Sequence, residues 1–329
     1  MIIRHAAMED LKAVTELEAK CFPAAEAAGR AAFFDRLASF PDHFWLLYED
    51  EKLVSMINGM ATDEEHLTDA LELLNAAGTR TGIVQAEDYR EAMGINDRVQ
   101  LAQAAELMRE RINRRHMLNG VTLMDPKSIY IDWDVIIGRD AVIYPNNYLC
   151  SGSIIGQECI LYEGNRLEKS RLGSGVSVRC STLIEAEVGD SCTVGPNAYL
   201  RPKAVVGKNA RIGDFVELKN CSIGDKSKVS HLSYVGDADV GSGCNIGCGV
   251  VFVNYDGKHK FRSRVGNNVF VGSNSNLVAP VALEDGAYIA AGSTVTQDVP
   301  GGALCIARAR QTVKSGWAEQ KRREWEQEK

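Results

Sequence analysis

From about residue 130 onward, an aliphatic residue followed by glycine recurs along the chain. The pairs are Ile137-Gly138, Ile155-Gly156, Leu172-Gly173, Val188-Gly189, Val194-Gly195, Val206-Gly207 and Ile212-Gly213, then Ile223-Gly224, Val235-Gly236, Val240-Gly241, Ile246-Gly247, Val265-Gly266 and Val271-Gly272. Their spacing falls near six residues or a multiple of six, with slips of one. Such a period fits neither a helix nor a simple strand, and marks a solenoid. Each hexapeptide forms a short strand and a turn, one side of a triangular coil. The aliphatic residue points inward and stacks on its equivalent one coil away. The Gly, Asn or Asp that follows it is expected to take a backbone conformation that β-branched residues avoid. About 18 residues close a coil, and coils stack about 4.8 Å apart. Roughly 170 repeat residues therefore predict nine or ten coils in a prism on the order of 45 Å long. The predicted fold is mainly β: a left-handed parallel β-helix of hexapeptide repeats, preceded by a connecting helix and a small α/β N-terminal module.

The pattern divides the rest of the chain. Residues 1–65 read as an α/β module. It holds a strand at IIRHA, a helix at MEDLKAVTELEAKCF with Asp10 near its start, and a second helix through AAGRAAFFDRLASF. A hairpin follows at HFWLLYEDEKLVSMINGMA, turning at Glu49-Asp50-Glu51. Residues 97–118 read as one helix with an apolar stripe of Val99, Leu101, Leu107, Met108, Ile112 and Met117, Asn96 as its N-cap and Gly120 as its stop. This gives boundaries at 1–65, 66–96, 97–120 for the connecting helix, 121–312 for the β-helix and 313–329 for a polar tail whose best anchor is Trp317. The repeat frame breaks once, between Val251 and Val265, at the basic, turn-rich stretch FVNYDGKHKFRSR. An insertion between regular coils is extruded as a loop, and functional groups gather on loops.

Composition narrows the function. The net charge of −7 argues against a nucleic-acid partner. No apolar run approaches the ~18 residues of a membrane span, and Met1-Ile2-Ile3-Arg4-His5 lacks a signal-peptide core, so a cytoplasmic location is expected. The nine cysteines form no C-x-x-C pair and read as free thiols, most of them buried small hydrophobes in the coils. Of six histidines only His231 and His259 lie in the repeats. A histidine is the side chain suited to take a proton from an amine near neutral pH. Arginine and lysine on the coil faces are the groups a phosphorylated substrate needs.

Several long stretches carry more than periodicity. YLRPKA, GDFVELKNCSIGDKSKVSHLSYVGDADVG, CNIGCGVVFVNYDGKHKF, VFVGSNSNLVAPV, YIAAGSTVTQDVP and IARARQ resemble the acetyltransferase half of the bifunctional GlmU family of UDP-N-acetylglucosamine synthesis. The resemblance runs over roughly residues 66–317. HLTDALELLNAAGTRTGIVQAEDYREAMGINDRVQLAQA is similar to the end of that family's uridyltransferase domain and its connecting helix. The family's Gly-rich nucleotide loop has no counterpart. Asn96 matches a magnesium-binding asparagine without its partner aspartate, so uridyl transfer is expected to be absent and no metal is expected. Residues 1–65 resemble the start of a GCN5-type N-acetyltransferase lacking the pyrophosphate loop, and are expected to be structural or vestigial.

The resemblance implies an enzyme that moves acetyl from acetyl-CoA to the amine of glucosamine-1-phosphate, for cell-wall precursor synthesis, as a homotrimer with its active sites between subunits. It implies His231 as general base, with Glu217 orienting His231 or the amine. Arg201, Lys219, Tyr234, Asn245, Asn254 and Lys260 are the implied sugar-phosphate ligands. Cys248, Asn254, Tyr255, Ser273, Ala291 and Arg308 are the implied acetyl-CoA contacts, with a backbone N–H near Cys248 as oxyanion donor. Two other readings stay open: a hexapeptide acyltransferase with a different amine acceptor, and an inactive trimeric scaffold. A metal-binding β-helix needs three histidines, and the repeats hold two.

Overall fold

At the N-terminus, strand β1 (Ile2–His5) pairs antiparallel with β2 (Trp45–Glu49), itself paired antiparallel with β3 (Lys52–Ile57). Helices α1 (Leu11–Cys21) and α2 (Arg30–Ser39) complete this layer. Ala6, Leu11, Val14, Phe33, Leu37, Phe44 and Leu46 form its core. Asp10 is buried, and accepts hydrogen bonds from both Arg4 guanidinium nitrogens (2.7 and 2.5 Å), the Ala7 amide (2.8 Å) and Tyr48 Oη (2.9 Å). Burial pushes its carboxyl up, but these donors outweigh burial and hold it below the ordinary carboxylate range.

The computed structural model describes residues 2–21, 27–39, 44–49, 52–57, 90 and 93–327. The expected hairpin turn at Asp50-Glu51 and most of the expected remnant 66–96 lie outside the described residues. The chain divides into two units, Met1–Ala104 and Ala105–Lys329.

Helix α3 spans Arg98–Leu118. Its cap is Asp97 rather than the expected Asn96: Asp97 Oδ1 accepts from the Gln100 amide at 2.7 Å, while Gln100 Oε1 accepts from the Asn96 amide at 2.6 Å. Gly120, at φ 91°, ends it as expected. The predicted stripe is largely unburied in the single chain, since Val99, Leu101, Met108 and Met117 are exposed. The helix packs through one stripe residue, Ile112, together with Asn113 and His116. Asn113 Nδ2 donates to the carbonyls of Pro126 (2.8 Å) and Ile129 (3.1 Å), so the second half of α3 closes the open end of the first coil. That cover satisfies backbone groups a bare coil end would leave unpaired.

The remainder of the second unit is a left-handed parallel β-solenoid of about eleven turns. One face is an eleven-stranded parallel sheet that begins at Thr122–Leu123 and ends at Leu304–Cys305. The count exceeds nine or ten because repeats begin earlier than residue 130 and coils run short. Ile160, Ser177, Thr193 and Arg211 stack in register, coils of 17, 16 and 18 residues. The second face carries Tyr199, Glu217, Tyr234, Val251 and Asn276 in register on its outer side. Beneath them Leu200, Leu218, Val235, Phe252 and Leu277 form an unbroken inward column, each fully buried. Each such side chain contributes roughly 1.5–3 kcal/mol of transfer free energy.

Gly195, at φ 95°, takes the expected left-handed conformation, but at most of the pairs the glycine plays a different role. Gly156 and Gly207 do not have positive φ. They are needed because a Cβ there stands 2.4 Å from Gly173 O and 2.4 Å from Asp225 Oδ1, atoms of the next coil. The left-handed conformation falls two residues later, at Asp140, Glu158, Asn209 and Lys226 among others. Of the nine free cysteines, four are buried (Cys159, Cys192, Cys221 and Cys244), four half-buried and Cys21 exposed. Burial pushes the Cys221 thiol up to about 12. The C-terminal tail forms helix α4 (Trp317–Gln327), which buries no residue, and Trp317 is exposed.

Candidate functional site

One corner of the prism, between the eleven-stranded face and the second face, is built coil by coil from hydrogen bonds between successive turns. Leu232 N donates to Asp214 O (2.9 Å), Gly249 N to His231 O (3.3 Å), Asn274 N to Cys248 O (2.8 Å) and Gly292 N to Ser273 O (2.8 Å). Asp214, His231, Cys248, Ser273 and Ala291 therefore occupy one corner position on consecutive coils. Arg308 follows, its Cδ 3.6 Å from the space a Cβ on Gly292 would fill. Four of the six expected acetyl-CoA contacts thus lie in a line that starts one coil above His231.

His231 closes strand Lys228–His231, and its side chain is half exposed. Its backbone is held by Ser233, whose Oγ donates to His231 O at 2.8 Å. Its Nδ1 bonds the Asp214 carboxylate, which faces it in register from the preceding coil. The hydrogen bond to His231 is the largest influence holding the Asp214 carboxyl below the ordinary range. Asp214 was not singled out in the sequence. The signal that finds it is the coil length: it lies 17 residues before His231, one turn of the solenoid. Glu217, expected beside His231 or the amine, instead accepts from Arg201 Nη1 at 2.8 Å. That bond is the main cause of a raised Arg201 pKa.

The cations lie on the second face and its far corner. Leu200 pairs with Leu218 and Lys219 with Gly236, which puts Arg201, Lys219 and Gly236 on successive coils. Lys219 lies against Lys260, and that contact is the first cause of a lowered Lys219 pKa. Below them is a second residue not found from the sequence, Asp237. It is nearly buried at φ 49°, accepts from Asn220 Nδ2 at 2.5 Å and is bonded by Asn254 Nδ2. Burial pushes its carboxyl up, but these amides with Lys219 and Lys260 hold it below the usual range. Asn254 was expected to touch both substrates. Its amide is committed to Asp237 and, at 3.5 Å, to Tyr234 Oη, and the residue is buried.

The expected loop is a tight, anchored hairpin. Phe261 N donates to Asn254 O (2.9 Å), and Asp256 Oδ1 accepts from the amides of Lys258 (2.7 Å) and His259 (2.6 Å). Tyr255 is exposed, its Oη on Gly257 O at 2.5 Å. Arg262 clamps the hairpin to the coil, with Nε on Asp239 Oδ2 (2.6 Å) and Nη1 on Asn220 O (3.0 Å). Asn245 stands apart from this group. It pairs with Lys228 and Phe270 on the eleven-stranded face, across the His231 corner from Lys219.

Chemically, the arrangement offers an exposed imidazole backed by a carboxylate at one corner, and three cations across the second face from it. That set suits proton removal from a substrate bearing a phosphate. The Gly249 amide is taken by His231 O, which narrows the expected oxyanion donor to the amide of Cys248 itself. Among the described residues no cluster of three metal-ligating side chains occurs and no helix is long and apolar enough to cross a membrane.

Comparison with known proteins agrees with the repeat reading. Residues 185–255 match the family described as the GMPPB C-terminal domain, and residues 263–297 match the hexapeptide repeat of succinyl-transferase. The bifunctional protein GlmU of Clostridioides difficile is 52% identical over 279 residues, covering 85% of this chain and 61% of the relative. That of Clostridium beijerinckii is 50% identical over 278 residues, covering 83% and 61%. The chain thus spans about three fifths of the length of these curated relatives. Among solved structures, UDP-N-acetylglucosamine acyltransferases from Campylobacter jejuni (17% identity, TM-score 0.36) and Francisella novicida (15%, 0.38) each align with 56% of this chain and with 71% and 67% of their own.

Proposed function

We propose that this chain is an acyltransferase, and specifically an acetyl-CoA-dependent glucosamine-1-phosphate N-acetyltransferase. The observation that carries the reading is the joint placement of His231 at a prism corner, Arg201, Lys219 and Lys260 on the face beside it, and the line Cys248, Ser273, Ala291, Arg308 leading away along the same corner. Extensive identity to the GlmU proteins supports it.

In this reading the sugar phosphate lies on the second face, its phosphate against Arg201, Lys219 and Lys260. Glu217 holds the Arg201 guanidinium, and Asp237 with Asn254 supports the floor. The amine reaches His231. Acetyl-CoA lies along the corner, with its carbonyl oxygen at the Cys248 amide and the remainder toward Ser273, Ala291 and Arg308. His231 takes the amine proton as nitrogen attacks the thioester carbonyl. The product is N-acetylglucosamine-1-phosphate, a cell-wall precursor intermediate made in the cytoplasm, where acetyl-CoA is supplied. In this reading acetyl transfer alone is assigned to the chain, and uridyl transfer is not.

Asn245 on the opposite side of the corner calls for a second copy of the chain, and a homotrimer supplies it. Purified protein given acetyl-CoA and glucosamine-1-phosphate is expected to release CoA, and light scattering is expected to give a trimer mass. His231→Ala is expected to lower kcat by about 10²-fold or more. A well-folded trimer that releases no CoA refutes the assignment.

A further inference from the structure

We infer that Asp214 is the positioning residue for His231, fixing its tautomer and stabilising its protonated form. The inference rests on the acetyl-transfer reading above and deepens it. An ionised carboxylate only accepts, so the hydrogen in the Asp214–His231 bond belongs to Nδ1. The Nε2 lone pair is then the basic site of the exposed ring. Proton balance follows directly. As the amine nitrogen bonds the acetyl carbon, its proton passes to Nε2. The carbon–sulfur bond breaks, and the sulfur leaves as CoA thiol with that proton. Between the two transfers the ring is a cation, and the Asp214 carboxylate is the anion that faces it.

Three further observations assign the role to Asp214. The register is fixed, because Asp214 and His231 face each other in paired strands, so their separation is set by coil stacking and not by a loop. Glu217, the other nearby carboxylate, is engaged by Arg201. The residue type at the left-handed corner position also changes at these two coils. Elsewhere the left-handed corner residue is commonly Asn or Gly, as at Asn146, Gly164, Asn197, Gly249, Asn274 and Gly292. After Asp214 and His231 it is Phe215 (φ 53°) and Leu232 (φ 49°), both exposed. Bulky residues enter this region at a cost, and such outliers cluster at functional sites. Here they flank the pair with apolar surface. Arg211, on the Asp214 strand, also bears on the carboxylate, and Lys228 on the His231 strand is its register partner. The Cys248 side chain neighbours it on the next coil.

The test compares the full-length protein with Asp214→Asn, Asp214→Glu and His231→Ala, with fold and oligomer mass checked for each. Asp214→Asn is expected to lower kcat on the order of 10- to 100-fold. That is less than the ~10⁴ of a fully buried triad aspartate, because this pair is half exposed. The KM values for both substrates stay close to those of the parent. Asp214→Glu restores part of the rate. Independently of turnover, ¹⁵N NMR is expected to find His231 as the Nδ1–H tautomer in the parent and as Nε2–H in Asp214→Asn. An active parent with an Asp214→Asn variant of equal kcat overturns the inference, as does one tautomer in both. An inactive parent that keeps the tautomer switch refutes the acetyl-transfer reading and leaves the positioning role standing.

Discussion

At the scale of single residues, two kinds of side chain decide this molecule: those that are small because the next coil is close, and those that are polar because a partner waits one coil away. Gly156 belongs to the first kind. With Gly173 O only 2.4 Å from a hypothetical Cβ, and that atom being backbone, the neighbour cannot swing aside. Gly156→Ala is therefore expected to destabilise the protein by about 1–3 kcal/mol, the usual cost of overpacking, measured as a lowered Tm. An unchanged Tm contradicts the stacking account. His231, Asp214, Asn220, Asp237 and Asn254 belong to the second kind. None of the residues in these pairs is near its partner along the chain, yet each lies about one coil from it.

At the scale of elements, the hairpin at 254–262 differs most from expectation. Its sequence reads as an extruded loop, but Arg262 ties it down through Asp239 and Asn220 O. The side chain thereby fixes where Lys260 stands relative to Lys219. Arg262→Ala is expected to raise KM for glucosamine-1-phosphate several-fold while leaving KM for acetyl-CoA and kcat nearly unchanged. Equal effects on both substrates would show that the clamp serves the coil as a whole. Helix α3 offers a second case. Its period of apolar residues is that of an amphipathic helix, yet the buried positions are Ile112, Asn113 and His116. Asparagine is buried because it caps backbone carbonyls at a coil end, a need that hydrophobic periodicity does not report.

For the whole molecule, the candidate site is asymmetric about one corner. His231 ends a strand of the eleven-stranded face at the corner, toward the cations of the second face, while Asn245 stands further back on the eleven-stranded one. If a site draws on both faces, two copies complete it. Co-expressed His231→Ala and Asn245→Ala chains, each inactive alone, are then expected to regain part of the activity in mixed trimers, because some interfaces receive both intact residues. Mixed trimers with no activity would place Asn245 outside the site.

The six-residue period by itself determined the solenoid, because an inward aliphatic position on every side of every coil is a local requirement repeated at each turn. The resemblance of the stretches around Arg201, Glu217, Lys219, His231 and Tyr234 to the GlmU family likewise pointed to the region of the site. Only the tertiary structure decided which partner each took. Coils outside the hairpin vary between 16 and 20 residues, and a shift of one residue moves a side chain to the other side of the wall. Asp214 rather than Glu217 therefore meets His231, Asp237 underlies the lysines, and Asp97 rather than Asn96 caps α3. Those choices are made by stacking register and hydrogen-bond satisfaction, which no single stretch of sequence contains.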